Sequence, residues 1–420
     1  MEAVFAACAG LDVHKRTVVA CRVVGSSRET RTFGTTTGEL LKRSDWLAEV
    51  GITPAGIERT GEFWRPVPNV LEGCVEVWLL NAQHIKAVPG RKTDVADAEW
   101  IAQLMRHGLV RPSFIPPRAQ RDLRELTRHR TNFVRERATL IHRVQKVLEG
   151  TNITLASVAT DVLGLSGRDM LAAIAAGESD AVALADLARG KLRAKRAELE
   201  AALTGRVRPH HRFLLTELLV QIERVEETIA RFDAQIVALC EADETEAVVQ
   251  LLDTIPGVGR LTAEMLVAEV GTDMSRFPTA GHLASWAGMC PGNNESAGKH
   301  RSGRTRQGNV WLRSAMVAAA QSAVRSRKTS FWAPYQRLKA RRGVKRAILA
   351  VAHAMLVCAY HIILRREPYR ELGPDYYERR QPAATARKLT QRLRDLGFEV
   401  LITPRQVSDA QPGPVPGFSG

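Results

Sequence analysis

The stretch from Phe5 to Val24, FAACAGLDVHKRTVVACRVV, decides the fold of the first third of this chain. Its first part, Phe5 to Asp12, is short and apolar, and Thr17 to Val24 is rich in β-branched residues, so both are predicted to be strands. The intervening Val-His-Lys-Arg is typical of a hairpin turn. The sequence therefore predicts a β-hairpin at the start of the chain.

Strand and helix signals alternate outward from this hairpin to about residue 108. The predicted elements are a strand Glu29–Thr36, a helix Gly38–Val50, a strand Ala55–Glu58, a short helix Phe63–Leu71, a strand Val75–Asn81 and a helix Thr93–His107 with Thr93 as its N-cap. The order β-β-β-α-β-α-β-α predicts a mixed sheet with helices on its faces.

Four acidic residues occupy element ends in this region. Asp12 ends the first predicted strand, Glu58 ends the fourth, and Asp94 and Asp97 lie three residues apart at the start of one helix. Residues with that helical spacing point to roughly the same side. Carboxylates converging on one point are typical ligands of Mg²⁺ (or Mn²⁺), and a pair of such ions can clamp both oxygens of a phosphodiester in transfer. We therefore predict a metal site made by these four residues.

The middle of the chain is predicted to be helical. Residues 118–149 form a strongly basic helix, and residues 151–205 are rich in alanine. Between 212 and 242 the apolar residues step by 3 and 4, at Leu215, Leu218, Ile222, Val225, Ile229, Phe232, Ile236 and Leu239. This seam predicts a coiled coil, either with another subunit in a dimer or tetramer or with the basic helix of the same chain.

Residues 245–366 are predicted to form a helical domain with two glycine-rich motifs. The first, Leu252 to Ala263, resembles a helix-hairpin-helix in which Gly257, Gly259 and Arg260 would contact a phosphate. The alternative is a helix turn with no ligand. The second motif, Cys290 to Asn309, is predicted to be a polar loop between two helices, Ala280–Ala287 and Val310–Val324.

This second loop contains both nucleophiles and cations. Ser296 and Ser302 are candidate nucleophiles, although a serine in a glycine-rich loop is more often a turn residue. The candidate nucleic-acid contacts in and after the loop are Lys299, Arg301, Arg304, Arg306 and Arg313.

The charge distribution supports a polyanionic partner. The 60 Lys and Arg against 45 Asp and Glu give a net charge of +15. From Ser296 to Arg366 there are sixteen Lys or Arg and no Asp or Glu, so positive charge is concentrated in one segment. The apolar stretch Ala347–Leu364 is predicted to be a buried helix and not a membrane anchor. Six scattered cysteines and the absence of a basic leader favour a reducing cytoplasm.

Three N-terminal motifs, Gly10-Leu-Asp-Val-His-Lys15, Glu58-Arg-Thr-Gly61 and Lys92-Thr-Asp-Val-Ala-Asp-Ala98, together resemble the RuvC-like DEDD domain of the IS110 family of insertion-sequence transposases. Two later motifs, Ile-Pro-Gly-Val-Gly and Pro-x-x-x-x-Ser-x-Gly-Lys followed by Gly-x-Thr-x-x-Gly-Asn-x-x-Leu-Arg, resemble the C-terminal transposase domain of that family. The resemblance runs from about Gly10 to Arg370.

The resemblance implies an RNase H-like fold in which Asp12, Glu58, Asp94 and Asp97 are metal ligands and Ser296 is a nucleophile that forms a covalent serine–DNA link. It further implies DNA as substrate, a structured bridge RNA that selects donor and target DNA, and a homo-oligomer in which one subunit's serine completes another's acidic site.

The predicted organisation is a RuvC-like domain at 1–110, a helical and coiled-coil region at 111–244, a transposase domain at 245–380 and a partly disordered extension at 381–420. In the extension, Ala386–Ile402 has the pattern of a helix followed by a strand. Two other functions remain open at this point. One is a junction-resolving nuclease that uses the four acids with metal-activated water, and the other is a non-enzymatic nucleic-acid-binding protein built on the helix-hairpin-helix.

Overall fold

The computed structural model describes residues 3–58, 63–71, 75–80, 96–242, 244–292, 294–296, 299–302, 305, 307–380 and 382–402. The chain divides into two compact units, Met1–Pro117 and Arg118–Gly420.

The first unit is built on a mixed sheet. Its described strands are β1 (Ala7–Val13), β2 (Thr17–Val24), β3 (Ser27–Gly34), β4 (Pro54–Glu58), β5 (Glu76–Leu80) and β6 (Pro112–Ser113). They lie in the order β3-β2-β1-β4-β5-β6. The β1–β2, β2–β3 and β5–β6 pairs are antiparallel, whereas β4 runs parallel to both β1 and β5. The predicted hairpin and the mixed sheet are confirmed, and β6 is a short strand that the sequence did not reveal.

Alternating side chains of the sheet make two cores in this unit. Leu11 and Ile57 point to one face and pack with residues of α1 (Thr37–Ala48) and α2 (Pro66–Leu71). Cys8 points to the other face and packs with α3 (Ala96–Arg106). Because side chains alternate along a strand, β1 serves both cores at once. The predicted N-cap Thr93 lies outside the described residues.

Two long helices begin the second unit and pack side by side. They are α4 (Arg118–Gly150) and α9 (Pro209–Glu241). Arg137 Nε donates to Glu226 Oε1 at 2.6 Å, and the Phe133 and Phe232 rings lie 5.3 Å apart. The residue numbers rise on one helix as they fall on the other, so the pair is antiparallel. The heptad seam of α9 therefore contacts α4 of the same chain, although most of the seam residues remain half-exposed.

Shorter helices pack beside the C-terminal end of α4 and the N-terminal end of α9. They are α5 (Leu155–Val158), α6 (Leu165–Ala176), α7 (Ala181–Asp186) and α8 (Arg196–Leu203), with a 3₁₀ turn at Gly190–Lys195. Buried Leu148 and Leu215 of the long helices share one core with Met170, Leu184 and Leu199 of the shorter ones.

The next six helices in the chain surround a second core of this unit. They are α10 (Thr245–Asp253), α11 (Arg260–Val270), α12 (Ala280–Trp286), α13 (Val310–Ala323), α14 (Trp332–Arg342) and α15 (Val344–Arg365), with a 3₁₀ turn at Met274–Arg276. Leu123 of α4 and Ile236 of α9 reach into the same core. A two-stranded antiparallel hairpin, β7 (Asn294–Ser296) and β8 (Lys299–Ser302), lies where the sequence predicted only a loop.

Helix α15 is the central helix of this core. Among the described residues it is the helix long and apolar enough to cross a membrane, yet 56% of its most apolar window is buried inside the protein. Met355, Leu356 and Ala359 have no exposed surface. This burial favours the interpretation of Ala347–Leu364 as a core helix.

The chain continues with α16 (Tyr376–Arg380) and α17 (Pro382–Asp395). The predicted strand at the end of Ala386–Ile402 is wrong, because residues 396–402 carry no strand in the structure. This segment has exposed apolar residues, including Leu401 at 94%, and pairs with no strand among the described residues. The predicted disordered tail, 403–420, lies outside the described residues.

Candidate active site

Asp12 and Glu58 lie beside each other at the carboxyl ends of neighbouring parallel strands. The register of β1 and β4 pairs Gly10 with Gly56 and Leu11 with Ile57. Asp12 and Glu58 are the next residues of the two strands, and parallel strands lie about 4.8 Å apart. Both residues are buried, with exposures of 5% and 7%. The sheet thus places two carboxylates together without help from a loop.

Glycines two residues earlier show to which face these carboxylates point. A Cβ on Gly10 would collide with the backbone of α3 at Ala98 and Ala102, and one on Gly56 would collide with Met105. Since side chains two apart share a face of a strand, Asp12 and Glu58 point to the side on which α3 lies. Helix α3 can approach so closely because both strands have glycine there.

Asp97 approaches the same region from α3. It lies in the first turn of that helix, next to Ala98, whose carbonyl oxygen packs against Gly10. The Oδ1 atom of Asp97 is buried. His14, just beyond β1, adds a neighbour that sequence reasoning did not assign, since its Nε2 lies 3.0 Å from Asp12 Oδ2. The fourth predicted ligand, Asp94, lies outside the described residues.

Carboxylate oxygens, such as those of the paired Asp12 and Glu58, are ligands that a hard divalent cation prefers. Among the residues that the structure describes, no group of three or more His, Cys, Asp or Glu side chains is placed to hold a metal ion. The described part of the site therefore consists of the Asp12–Glu58 pair with Asp97 nearby.

The Ser296 motif forms the β7–β8 hairpin in the second unit. Ser296 is the last residue of β7, and its register partner across the hairpin is Lys299, the first residue of β8. Arg301 and Ser302 also belong to β8. Arg304 and Arg306 lie outside the described residues. The sequence motif thus forms a hairpin whose first strand ends at Ser296 and whose second strand begins at Lys299.

The chain after this hairpin is fixed by Gly308 and Asn309. A Cβ on Gly308 would collide with the backbone of Ala287 and Gly288, so the chain lies directly on the end of α12. Asn309 caps α13, since its Oδ1 accepts from the amides of Trp311 and Leu312, both at 3.1 Å. Its Nδ2 donates to Glu269 Oε2 at 2.5 Å.

Glu269 makes Asn309 part of a buried ionic cluster. It is 1% exposed, and Arg128 of α4 donates to its two carboxylate oxygens at 2.7 and 2.9 Å. Arg124 donates to the Glu269 carbonyl at 2.7 Å, and burial lowers the pKa of Arg124 while Glu269 opposes that effect. Sequence reasoning quoted Asn309 within a motif but gave it no role, and missed Glu269 because an acid in an apolar helix carries no local signal.

The two glycines of the predicted helix-hairpin-helix have different surroundings. Gly257 has φ +87°, and a Cβ there would lie 2.5 Å from the Ala319 carbonyl oxygen and 2.6 Å from the Ala323 amide nitrogen of α13. Gly259 has open space around its Cβ position and precedes the first turn of α11. The close approach at Gly257 is therefore made to the protein's own helix, whereas Gly259 faces free space.

Arg260 and Arg313, the described predicted arginine contacts outside the hairpin, also differ in their surroundings. Arg260 donates to both oxygens of Glu246, at 2.8 and 2.7 Å, and to Glu264 at 2.8 Å. These partners raise the pKa of Arg260, and its hydrogen bonds lower the pKa of Glu246. Desolvation raises the pKa of buried Glu264 despite Arg260. Arg313 lies on α13 and is half-buried.

Comparison with known proteins gives matches in both halves of the chain. Residues 9–153 match a DEDD family profile described as a transposase, and residues 249–336 match the profile of the transposase IS116/IS110/IS902 family. The transposase for insertion sequence element IS1111A of Coxiella burnetii is 28% identical over 70% of this chain and 72% of its own length.

Two further relatives cover less of the chain. The uncharacterized 44.8 kDa protein of insertion element IS116 from Streptomyces clavuligerus is 28% identical over 58% of this chain and 67% of its own. The pilin gene-inverting protein of Moraxella bovis is 31% identical over 34% of this chain and 45% of its own.

The sheet with its paired carboxylates and these matches define the class as a transposase, an enzyme that cuts and rejoins DNA. The chain belongs to the IS116/IS110/IS902 family of transposases. A junction nuclease and a non-enzymatic binding protein, the two alternatives open from the sequence, are not favoured by these matches.

Proposed function

We propose that this transposase moves a DNA segment by two successive phosphoryl transfers, with a carboxylate-held metal ion and a serine nucleophile. The observation that carries the proposal is the pairing of Asp12 with Glu58 at adjacent strand ends, on the face that α3 covers. An RNase H-like fold is part of the proposal, and the strand order β3-β2-β1-β4-β5 supports it.

The residues that would hold the ion are Asp12, Glu58, Asp94 and Asp97. Their oxygens suit Mg²⁺ or Mn²⁺, because such ions prefer carboxylates together with phosphate oxygens from a substrate. When bound, the ion would supply Lewis-acid stabilisation of the charge that develops on the phosphate. The contact of His14 with Asp12 would keep that carboxylate in position.

The covalent step would use Ser296. Its Oγ attacks the phosphorus of a DNA phosphodiester, and the bond from phosphorus to the leaving deoxyribose oxygen breaks. The serine proton passes to a base, and the leaving oxygen takes up a proton. A hydroxyl of another DNA end then attacks the serine ester, which restores the serine and joins the DNA. Lys299, the register partner of Ser296, and Arg301 lie in the same hairpin and would stabilise the phosphate charge.

DNA contacts outside the hairpin are proposed for the remaining predicted residues. Gly259 is the better placed of the two glycines for an approaching phosphate, since its Cβ position faces free space. Arg304, Arg306 and Arg313 follow the serine in sequence and would add charge there, whereas Arg260 would have to share its guanidinium between DNA and the carboxylates of Glu246 and Glu264.

A structured guide RNA and a homo-oligomer complete the proposal. Both rest on the resemblance of this chain's motifs to its family. The concentration of cations from Ser296 to Arg366 supports a nucleic-acid partner but does not distinguish RNA from DNA.

The test is trapping of a covalent protein–DNA adduct in denaturing gels with a nicked element end. We expect Ser296→Ala to reduce the adduct and strand transfer by at least about a thousandfold with DNA binding retained. Ser302→Ala is the matched hairpin control and should keep the adduct. Asp12→Asn and removal of divalent metal by chelation should abolish cleavage, whereas the exposed Asp45→Asn should not.

Each result has a contrary outcome. Cleavage that persists in Ser296→Ala without an adduct would point to a nuclease that uses activated water. If Asp12→Asn forms the adduct as well as the unsubstituted protein does, the Asp12–Glu58 pair has no role in cleavage.

A further inference from the structure

A cluster of cations lies at the turn between α14 and α15, away from the serine hairpin in sequence. We call it the basic elbow, and it consists of Lys339, Arg341, Arg342, Lys345 and Arg346. Each of these five residues is exposed to solvent. They follow one another within eight positions, separated by Ala340, Gly343 and Val344.

The charges of the elbow are not compensated within the described part of the chain. No ion pair between an elbow residue and a carboxylate occurs there, although other arginines of the same unit are paired, such as Arg128 and Arg260. The Lys339 ammonium lies over the Tyr335 ring, 5.9 Å from the ring centre, as a cation–π contact. The segment from Ser296 to Arg366 supplies no acidic residue.

The position of the elbow increases this imbalance. Lys345 and Arg346 occupy the first turn of α15, which has no acidic residue. Cations are disfavoured at that end of a helix, where the backbone dipole is positive. The free protein thus keeps a charge arrangement that an anion would relieve.

We infer that the basic elbow is a sequence-independent contact for the phosphate backbone of duplex DNA, separate from the serine hairpin. The inference rests on the proposed function only in taking DNA as the partner. Exposed and flexible Lys and Arg side chains track a phosphate backbone without reading bases, because phosphate contacts fix position and carry no sequence information. The elbow would therefore hold flanking DNA of any sequence.

The test is the salt dependence of binding to a duplex without element sequence, measured by fluorescence anisotropy on the full chain. In the elbow variant, Arg341, Arg342, Lys345 and Arg346 are each replaced by Gln. Each lost phosphate contact lowers the slope of log K against log salt by about 0.9, so we expect a decrease of about 3 to 4. Circular dichroism confirms that the variant is folded.

The matched control removes the same charge from another exposed helix. It replaces Arg387, Lys388, Arg392 and Arg394 of α17 with Gln and should change the slope by less than about 1. An unchanged slope in the elbow variant, or an equal decrease in both variants, would overturn the inference. A decrease confined to duplex RNA would overturn DNA as the partner. Ser296→Ala is measured alongside, because loss of its adduct bears on the chemistry and leaves the elbow's binding unaffected.

Discussion

Glu269 is a buried carboxylate held by side chains from two other helices. Arg128 binds both of its oxygens, Arg124 lies 3.4 Å from it, and Asn309 donates to it from the start of α13. A buried charge is tolerated only when partners replace the lost water. Glu269 therefore fixes Asn309 at the start of α13, in the chain that follows the serine hairpin.

Replacing Glu269 with Ala should lower the free energy of unfolding by about 3 to 5 kcal/mol, because it leaves Arg128 and Asn309 facing a buried site without a partner. Chemical denaturation measures this. The control is Glu125→Ala on α4, whose side chain is 69% exposed and which should change stability by less than about 0.5 kcal/mol. Equal stability of the two variants would contradict the structural role of Glu269.

At the scale of elements, the turn before α11 lies in close contact with α13. Gly257 allows α13 to lie against the turn, and its positive φ favours glycine. Two residues later, Gly259 has the free space that a ligand would need. The same short motif thus serves packing at one glycine and leaves the other accessible.

Gly257→Ala should therefore destabilise the protein by about 2 to 5 kcal/mol, from backbone strain together with overpacking against α13. Gly259→Ala should cost about 1 kcal/mol or less, as expected for loss of a favourable N-cap residue. Thermal denaturation compares the two. At a temperature at which both variants are folded, DNA binding should fall in Gly259→Ala and not in Gly257→Ala. Unchanged DNA binding in Gly259→Ala would count against a phosphate contact at this turn.

The helices and strands with strong periodicity could be predicted from the sequence. The strand Thr17–Val24 and the two 33-residue helices were located to within a few residues because apolar spacing is a local signal. The β7–β8 hairpin was missed because strands of three and four residues carry no such pattern. The approach of Gly257 to Ala319 was invisible, since it joins residues far apart in the chain.

The candidate site was predictable only in part, because local patterns locate residues on strands and helices but do not show which elements pack together. Asp12 and Glu58 could be placed at strand ends, but their side-by-side register depends on β1 pairing with β4, which no local pattern reveals. The capture of Arg260 by Glu246 and Glu264 likewise depends on the packing of α10 and α11. Whether Asp94 joins the site stays a prediction, as do the role of Ser296 and the oligomer through α9.

At the scale of the whole molecule, buried or half-buried thiols occur in both units. Cys8 and Cys21 lie in the core beneath α3, Cys240 and Cys358 in or against the core around α15. Burial raises the pKa of Cys8, Cys240 and Cys358 to about 11. Thiols with so high a pKa are unreactive at neutral pH, because the thiolate is the nucleophile.

We therefore expect alkylation at pH 8 to leave these four cysteines unmodified in the folded protein and to modify them in denaturant, as read by mass spectrometry of peptides. The raised pKa values also predict the direction of the pH effect. Stability from the neutral thiols is complete below the unfolded value near 9 and is lost as pH rises through about 11. Rapid alkylation of Cys8 in the native protein would contradict the packing of α3 on the sheet.

The register between β1 and β4 has a consequence for how copies of such a mobile gene decay. A single inserted or deleted codon within β1 would move Leu11 or Val13 into the place of Asp12 and turn the carboxylate toward the opposite face, since adjacent residues of a strand alternate. The resulting protein would keep its hydrophobic composition and most of its sheet, and yet, under the proposed role of Asp12, would leave the element immobile in its host genome.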